Sequence, residues 1–160
     1  MKIFLGVVLT LSLFGSVTAQ EKPAWVDNLE ALILKHERKW KIADKHVASV
    51  PTFFHEVIKL TSGANRTEIR IDIHRSAEQA KEQFDGEKIA FTNILSKEAA
   101  RSSIEGLGDD NYMFIGKRKR NVSLFFIQGT VVVNVFAPSI AITKRFVRYI
   151  TDSVPAGRTL

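Results

Sequence analysis

The residues from which chemistry could be drawn are few: four histidines (36, 46, 55 and 74) and the stretch SIEGLGDDNY at 103–112. Neither His36-Glu37 nor His55-Glu56 is followed by a second histidine at the spacing a metalloprotease helix needs. His55 and His74 fall on the polar faces of two alternating strands. If register joined them they could hold a metal or respond to pH; otherwise they are solvent-facing strand residues. A hydrolase built from His55, His74 and Asp109 would need those groups to converge, and no Gly-x-Ser-x-Gly elbow offers a nucleophile. A Gly-x-Gly cradles phosphate only where a strand gives way to a helix, whereas Gly106 and Gly108 precede a strand. Asp109, Asp110 and Asn111 lack the alternating spacing of a calcium loop. A structural loop follows: Gly106 and Gly108 permit backbone angles closed to other residues, Asp109 and Asn111 bond within the turn, and Tyr112 packs into the sheet. No residue is assigned to catalysis, to a metal or to a cofactor.

Charge is the more substantial lead. Lys plus Arg outnumber Asp plus Glu by 23 to 17. Lys117, Arg118, Lys119 and Arg120 stand together at a predicted hairpin tip with no acid among them. Lys144, Arg145 and Arg148 share one face of a predicted helix. A third basic stretch carries Lys35, Arg38, Lys39, Lys41 and Lys45 against Glu37 and Asp44. Such clusters draw anionic lipid, polysaccharide or acidic protein, and they bind nucleic acid through phosphate. A charged tip also keeps sheet edges from pairing with other chains, with no ligand involved.

The N-terminus decides among these partners. Lys2, an apolar run over residues 3–14 and small residues ending at Ala19 have the order of a secretory signal peptide. The run is shorter than the ~20 residues that span a bilayer. Cleavage after Ala19 would leave residues 20–160 as one domain in the periplasm or outside the cell, with no transmembrane segment. Export favours an anionic envelope surface or an acidic protein over nucleic acid. With no cysteine in the chain, thiol catalysis, Cys-ligated zinc and disulfides are excluded, so stability must come from burial. Sequons at Asn65 and Asn121 would matter only in a eukaryotic host.

Behind these residues stand the elements that position them. Trp25, Leu29, Leu32 and Ile33 recur at helical spacing after Pro23, and residues 35–46 are open between helix and strand. Phe54, Ile58 and Leu60 alternate with His55, Val57, Lys59 and Thr61. Ile69, Ile71 and Ile73 alternate with Glu68, Arg70, Asp72 and His74, so a hairpin turns at 62–66. Ser76 with Gln79 reads as a capping box opening a helix through Ala80 and Phe84. Asp85-Gly86 breaks or kinks that helix before a buried stripe of Ile89, Ala90, Ile94 and Leu95. Strands follow at 112–115, 122–127 and 130–136, the last two joined by a tight Gln128-Gly129 turn. A final helix buries Ile142, Phe146, Ile150 and Ser153 or Val154, with a frayed tail at 155–160.

The expected order is helix, two strands, helix, three strands, helix: an α+β domain with an antiparallel sheet of about five strands covered by helices on one face. This order, together with Gly106-Leu107-Gly108-Asp109 and the nearby Tyr112, resembles small secreted bacterial α+β domains of the Mog1/PsbP-like group. The resemblance implies a binding or accessory role and transfers no active site. A binding domain is the leading expectation. A peripheral protein held on an anionic surface by its Lys/Arg clusters is the second, and a hydrolase the third.

Overall fold

The computed structural model describes residues 21–95, 99–117 and 120–153. The elements are α1 (Ala24–His36), β1 (Lys41–Val50), β2 (Phe53–Ser62), β3 (Asn65–His74), α2 (Ala77–Leu95), β4 (Ala100–Ser102), β5 (Asp110–Ile115), β6 (Val122–Gln128), β7 (Val131–Ala137) and α3 (Ile140–Ser153). The expected signal peptide, the frayed tail, Val154, Arg118 and Lys119 lie outside the described residues.

Among the described residues seven strands join one antiparallel sheet in the order β1-β2-β3-β7-β6-β5-β4. The expected α+β class and antiparallel sheet stand, but five strands become seven. The two additions are β1, which begins in the stretch left open at 35–46, and β4, whose three residues carry no readable alternation. Two meanders, β1–β2–β3 and β4–β5–β6–β7, meet at a central β3–β7 ladder from Glu68↔Phe136 to Ile73↔Val131.

The helices cover both faces, which corrects the single-face expectation. Alternation along β7 shows why. Val131, Val133, Val135 and Ala137 join a core with Trp25, Leu29 and Ile33 of α1 and Phe146, Val147 and Ile150 of α3. Val132 and Phe136 meet a second core with Ala80, Phe84 and Phe91 of α2. A strand apolar on both faces must lie between two layers. The run VVVNVFA therefore already held the sandwich that a one-sided reading misses.

The second layer changes the first hairpin. Its register, Phe54↔Ile73 through Ser62↔Asn65, matches the expected alternation. The face of His55, Asp72 and His74, however, lies beneath α2, and Asp72 is only 4% exposed. Ser76 accepts from the Gln79 amide at 3.2 Å, which is the serine half of the expected capping box. Gly86 does not interrupt the 19-residue helix. Its expected buried stripe is rotated: Phe91 and Leu95 pack inward, whereas Ile89 and Ile94 stand 63% and 73% exposed. In α3 the buried set is Thr143, Phe146, Val147 and Ile150, with Ile142 half-buried.

Candidate functional site

The loop at 103–112 folds as a structural element. Gly106 and Gly108 adopt left-handed φ of +72° and +61°, as their spacing before a strand suggests. Asn111 accepts from the Ile104 amide at 2.7 Å and donates to the Ile104 and Leu107 carbonyls at 2.9 and 2.8 Å. Asp109 reaches further than a local turn. Its carboxylate accepts from the Gly129 amide at 2.6 Å, and its own amide donates to the Ile127 carbonyl at 2.7 Å. The loop is thereby fastened to the β6–β7 turn. Tyr112 is buried against Phe84 and stacks on Phe125. Burial pushes its phenol well above the ordinary value.

The histidines are brought partly together. His55 Nδ1 meets Asp72 at 2.5 Å, and Gln83 of α2 donates to the other Asp72 oxygen at 2.7 Å. The Gln83 carbonyl oxygen pairs with His74 Nε2 at 2.7 Å. The amide of Gln83 also reaches Glu87 at 2.9 Å, and Asn134 donates to Glu87 at 2.8 Å. The Phe53 ring neighbours both His55 and His74, with centroids 5.9 and 5.2 Å away. They are linked through Asp72 and Gln83 rather than meeting. Asp109, spent on the β6–β7 turn, does not join them, so the three groups of the hydrolase expectation do not converge. Among the described residues no cluster of three His, Cys, Asp or Glu could hold a metal. What this network does is supply hydrogen-bond partners for polar groups that α2 buries.

A second polar network lies under α1. Glu56, wholly buried, takes Lys22 Nζ at 3.1 Å on one oxygen and 3.0 Å on the other. Lys45 bonds Glu30 at 2.7 Å and lies 3.6 Å from Glu56. Burial raises the Glu56 proton affinity and a hydrogen bond with Glu30 raises it further, against the pull of Lys22. Burial also opposes ionisation of Glu30, but its hydrogen bonds to Lys45, Glu56 and Lys22 hold its carboxyl below the usual value. Burial disfavours the charge on Lys22, yet hydrogen bonds to Asp27, Glu56 and Glu30 hold its ammonium above the ordinary range. Two carboxylates bracketed by two lysines tie α1 to the β1–β2 edge.

The structure divides the predicted cations. Lys144, Arg145 and Arg148 line a groove of about 670 Å³ between α3 and α1, with Leu32, His36, Tyr149 and Asp152. Within it Arg145 is committed to Glu37 at 2.9 Å, which also accepts from Tyr149 at 3.0 Å. Burial and that hydrogen bond raise the Tyr149 phenol above its ordinary value. Lys144 and Arg148 have no carboxylate within ion-pair distance among the described residues, but Asp152 shares the groove.

Lys117 and Arg120, by contrast, stand at the opposite end of the sheet from the 103–112 loop, beside a second cleft. The β3–β7 ladder stops at Glu68↔Phe136, while β2–β3 pairing runs on to Ser62↔Asn65 and β6–β7 pairing to Val122↔Ala137. Between the two parted hairpins lies a cleft of about 680 Å³. Leu60, Val122, Phe136, Ala137 and Pro138 give it an apolar wall; Lys59, Arg66, Glu68, Asn121 and Ser123 give it a polar rim. Thr67 lines it too, only 2% exposed, and its hydroxyl has no hydrogen-bond partner among the described residues. At the rim Lys59 pairs with Asp44, and Arg70 pairs with Glu68 while lying over the Phe136 ring. Arg66 is exposed and has no such pairing among the described residues. The alternation of each hairpin is legible in the sequence, but the point where their shared ladder ends is not. The one available signal is the basic tip adjoining Asn121.

Comparison with protein-family models, with curated proteins and with solved structures returns no significant match.

Proposed function

We propose that this chain is an exported binding domain of the Mog1/PsbP-like kind. Its ligand is a small anionic amphiphile, and its site is the cleft between the parted hairpins. One observation carries the reading: an apolar-walled cleft of about 680 Å³ whose rim holds Arg66, exposed and with no ion-pair partner among the described residues. That volume lies within the range of small-molecule sites, about 300–1,000 Å³. The apolar body would lie along Leu60, Val122 and Phe136, with its charged head towards Arg66 and the basic turn.

The α1–α3 groove is the lesser candidate, because Glu37 and Asp152 offset much of its charge. Titration with dansyl-undecanoate, followed by dye emission, tests the proposal. Wild type should bind saturably. Ser123→Trp, filling the cleft, should weaken binding at least about tenfold, and Arg66→Glu about fivefold, the equivalent of one lost charge contact. No saturable binding by wild type, or equal binding by Ser123→Trp, would reject the cleft. If Lys144→Glu/Arg148→Glu alone abolished binding, the site would move to the groove.

A further inference from the structure

The last seven residues of α2, IAFTNIL at 89–95, carry no charge. Phe91 and Leu95 turn inward, while Ile89, Ala90, Asn93 and Ile94 form an exposed, uncharged ridge. Surface helices normally place charged residues outward, and an uncovered apolar ridge marks an interaction surface.

Topology places cations at the C-terminal end of this ridge. The Leu95 carbonyl accepts from the Ala99 amide at 3.1 Å, and Ala100 pairs with Ile115. The end of α2 therefore lies beside the β5–β6 turn with its exposed Lys117 and Arg120. Arg101, exposed on edge strand β4, pairs with Phe114, whose ring lies beneath α2 and stacks with Phe91 at 6.3 Å. Arg101 thus shares the sheet face that carries α2. Nearby Lys88 is already engaged by Asp110 at 2.9 Å and belongs to the other end of the sheet.

From this arrangement we infer that the α2 C-terminal end docks on an anionic lipid surface. Ile89 and Ile94 enter the boundary between headgroups and acyl chains, while Arg101, Lys117 and Arg120 face the headgroup charge. An apolar ridge rimmed by cations is complementary to such a surface in both respects. A neutral bilayer satisfies only the first and a soluble polyanion only the second. The inference shares only the basic β5–β6 turn with the cleft reading, while Ile89, Ile94 and Arg101 lie outside the cleft lining, so the isoleucine and Ser123 variants let either proposal fail without the other.

Co-sedimentation of the purified protein with sucrose-loaded vesicles tests it. Binding is expected on phosphatidylglycerol/phosphatidylcholine vesicles at low salt, and little on phosphatidylcholine alone. Ile89→Asn/Ile94→Asn and Arg101→Glu/Lys117→Glu should each reduce partitioning at least about fivefold, with unchanged circular dichroism. The same Ile89/Ile94 variant should bind dansyl-undecanoate as wild type does, and Ser123→Trp should bind vesicles as wild type does. In a further readout, the tryptophan of Ile94→Trp should shift its emission to the blue on anionic vesicles. Absence of binding to anionic vesicles overturns the inference. So does undiminished binding by the isoleucine variant, which would leave simple charge attraction, as does an unshifted Ile94→Trp spectrum.

Discussion

A methyl group added to Gly108 would sit 2.3 Å from the Ile127 carbonyl oxygen, on a backbone already at φ +61°. Gly106 has a similar φ of +72° but open space around it. The pair separates two costs that usually arrive together, backbone strain and steric collision. Gly106→Ala should cost about 1 kcal/mol, from the left-handed conformation alone. Gly108→Ala should cost about 3 kcal/mol, because the loop must also withdraw from β6. Urea unfolding curves with equal slopes would report both values. Equal losses would show that the loop gives way freely and that its bond to the β6–β7 turn is weak. The same bond explains Asp109, whose carboxylate holds Gly129 instead of closing its own turn.

At the scale of elements, α2 offers the plainest case. Gly86 lies mid-helix and exposed, with open space where an alanine methyl would stand. Gly86→Ala should therefore stabilise the protein by about 0.5–1 kcal/mol through lost freedom in the unfolded chain, read as a higher midpoint of urea unfolding. The glycine suggests a break in sequence, but α2 is held along its length by Phe84, Phe91 and the Gln83–Asp72 bond. Other elements are legible to different degrees. The β2–β3 hairpin is readable because each strand has one apolar face, and α3 because its stripe is strongly amphipathic. β1 is not, since an edge strand with only Ile42 half-buried has no alternation to read. The buried side of late α2 misleads because Ile89 and Ile94 have the chemistry of core residues without the placement. The cleft is illegible in principle: it exists where pairing stops, and register is a property of two strands.

For the molecule as a whole, the Glu30–Glu56 pair sets a dependence on acidity. Burial and the Glu30 hydrogen bond raise the proton affinity of Glu56 in the folded state. Its contribution to stability is therefore present below the ordinary value of 4.5 and declines as pH rises above it. Glu30 has the opposite sign: its lowered value contributes stability above 4.5 that is lost on further acidification. Together they place this pair's best stability near pH 4.5. Wild type should gain stability between about pH 7 and that point, and Glu56→Gln should show a flatter profile there. Urea midpoints at constant ionic strength check this. A rising wild-type profile that persists in Glu56→Gln would assign the effect to other groups.

The central β3–β7 ladder has a kinetic consequence. Each meander joins neighbours in sequence and can form its own contacts early, at small entropic cost. The ladder instead joins Glu68–Ile73 to Val131–Phe136 across the whole of α2, β4, β5 and β6. Closing so long a loop costs more chain entropy than closing either meander, so the ladder, and the α1–α3 contact that depends on it, are expected to form late. Until then Ile69, Ile71, Val133 and Val135 belong to two half-sheets with open edges. Those edges are the segments most prone to pair with another molecule while the chain is still folding. The same seam that leaves a cleft in the finished protein thus sets the pace of its assembly.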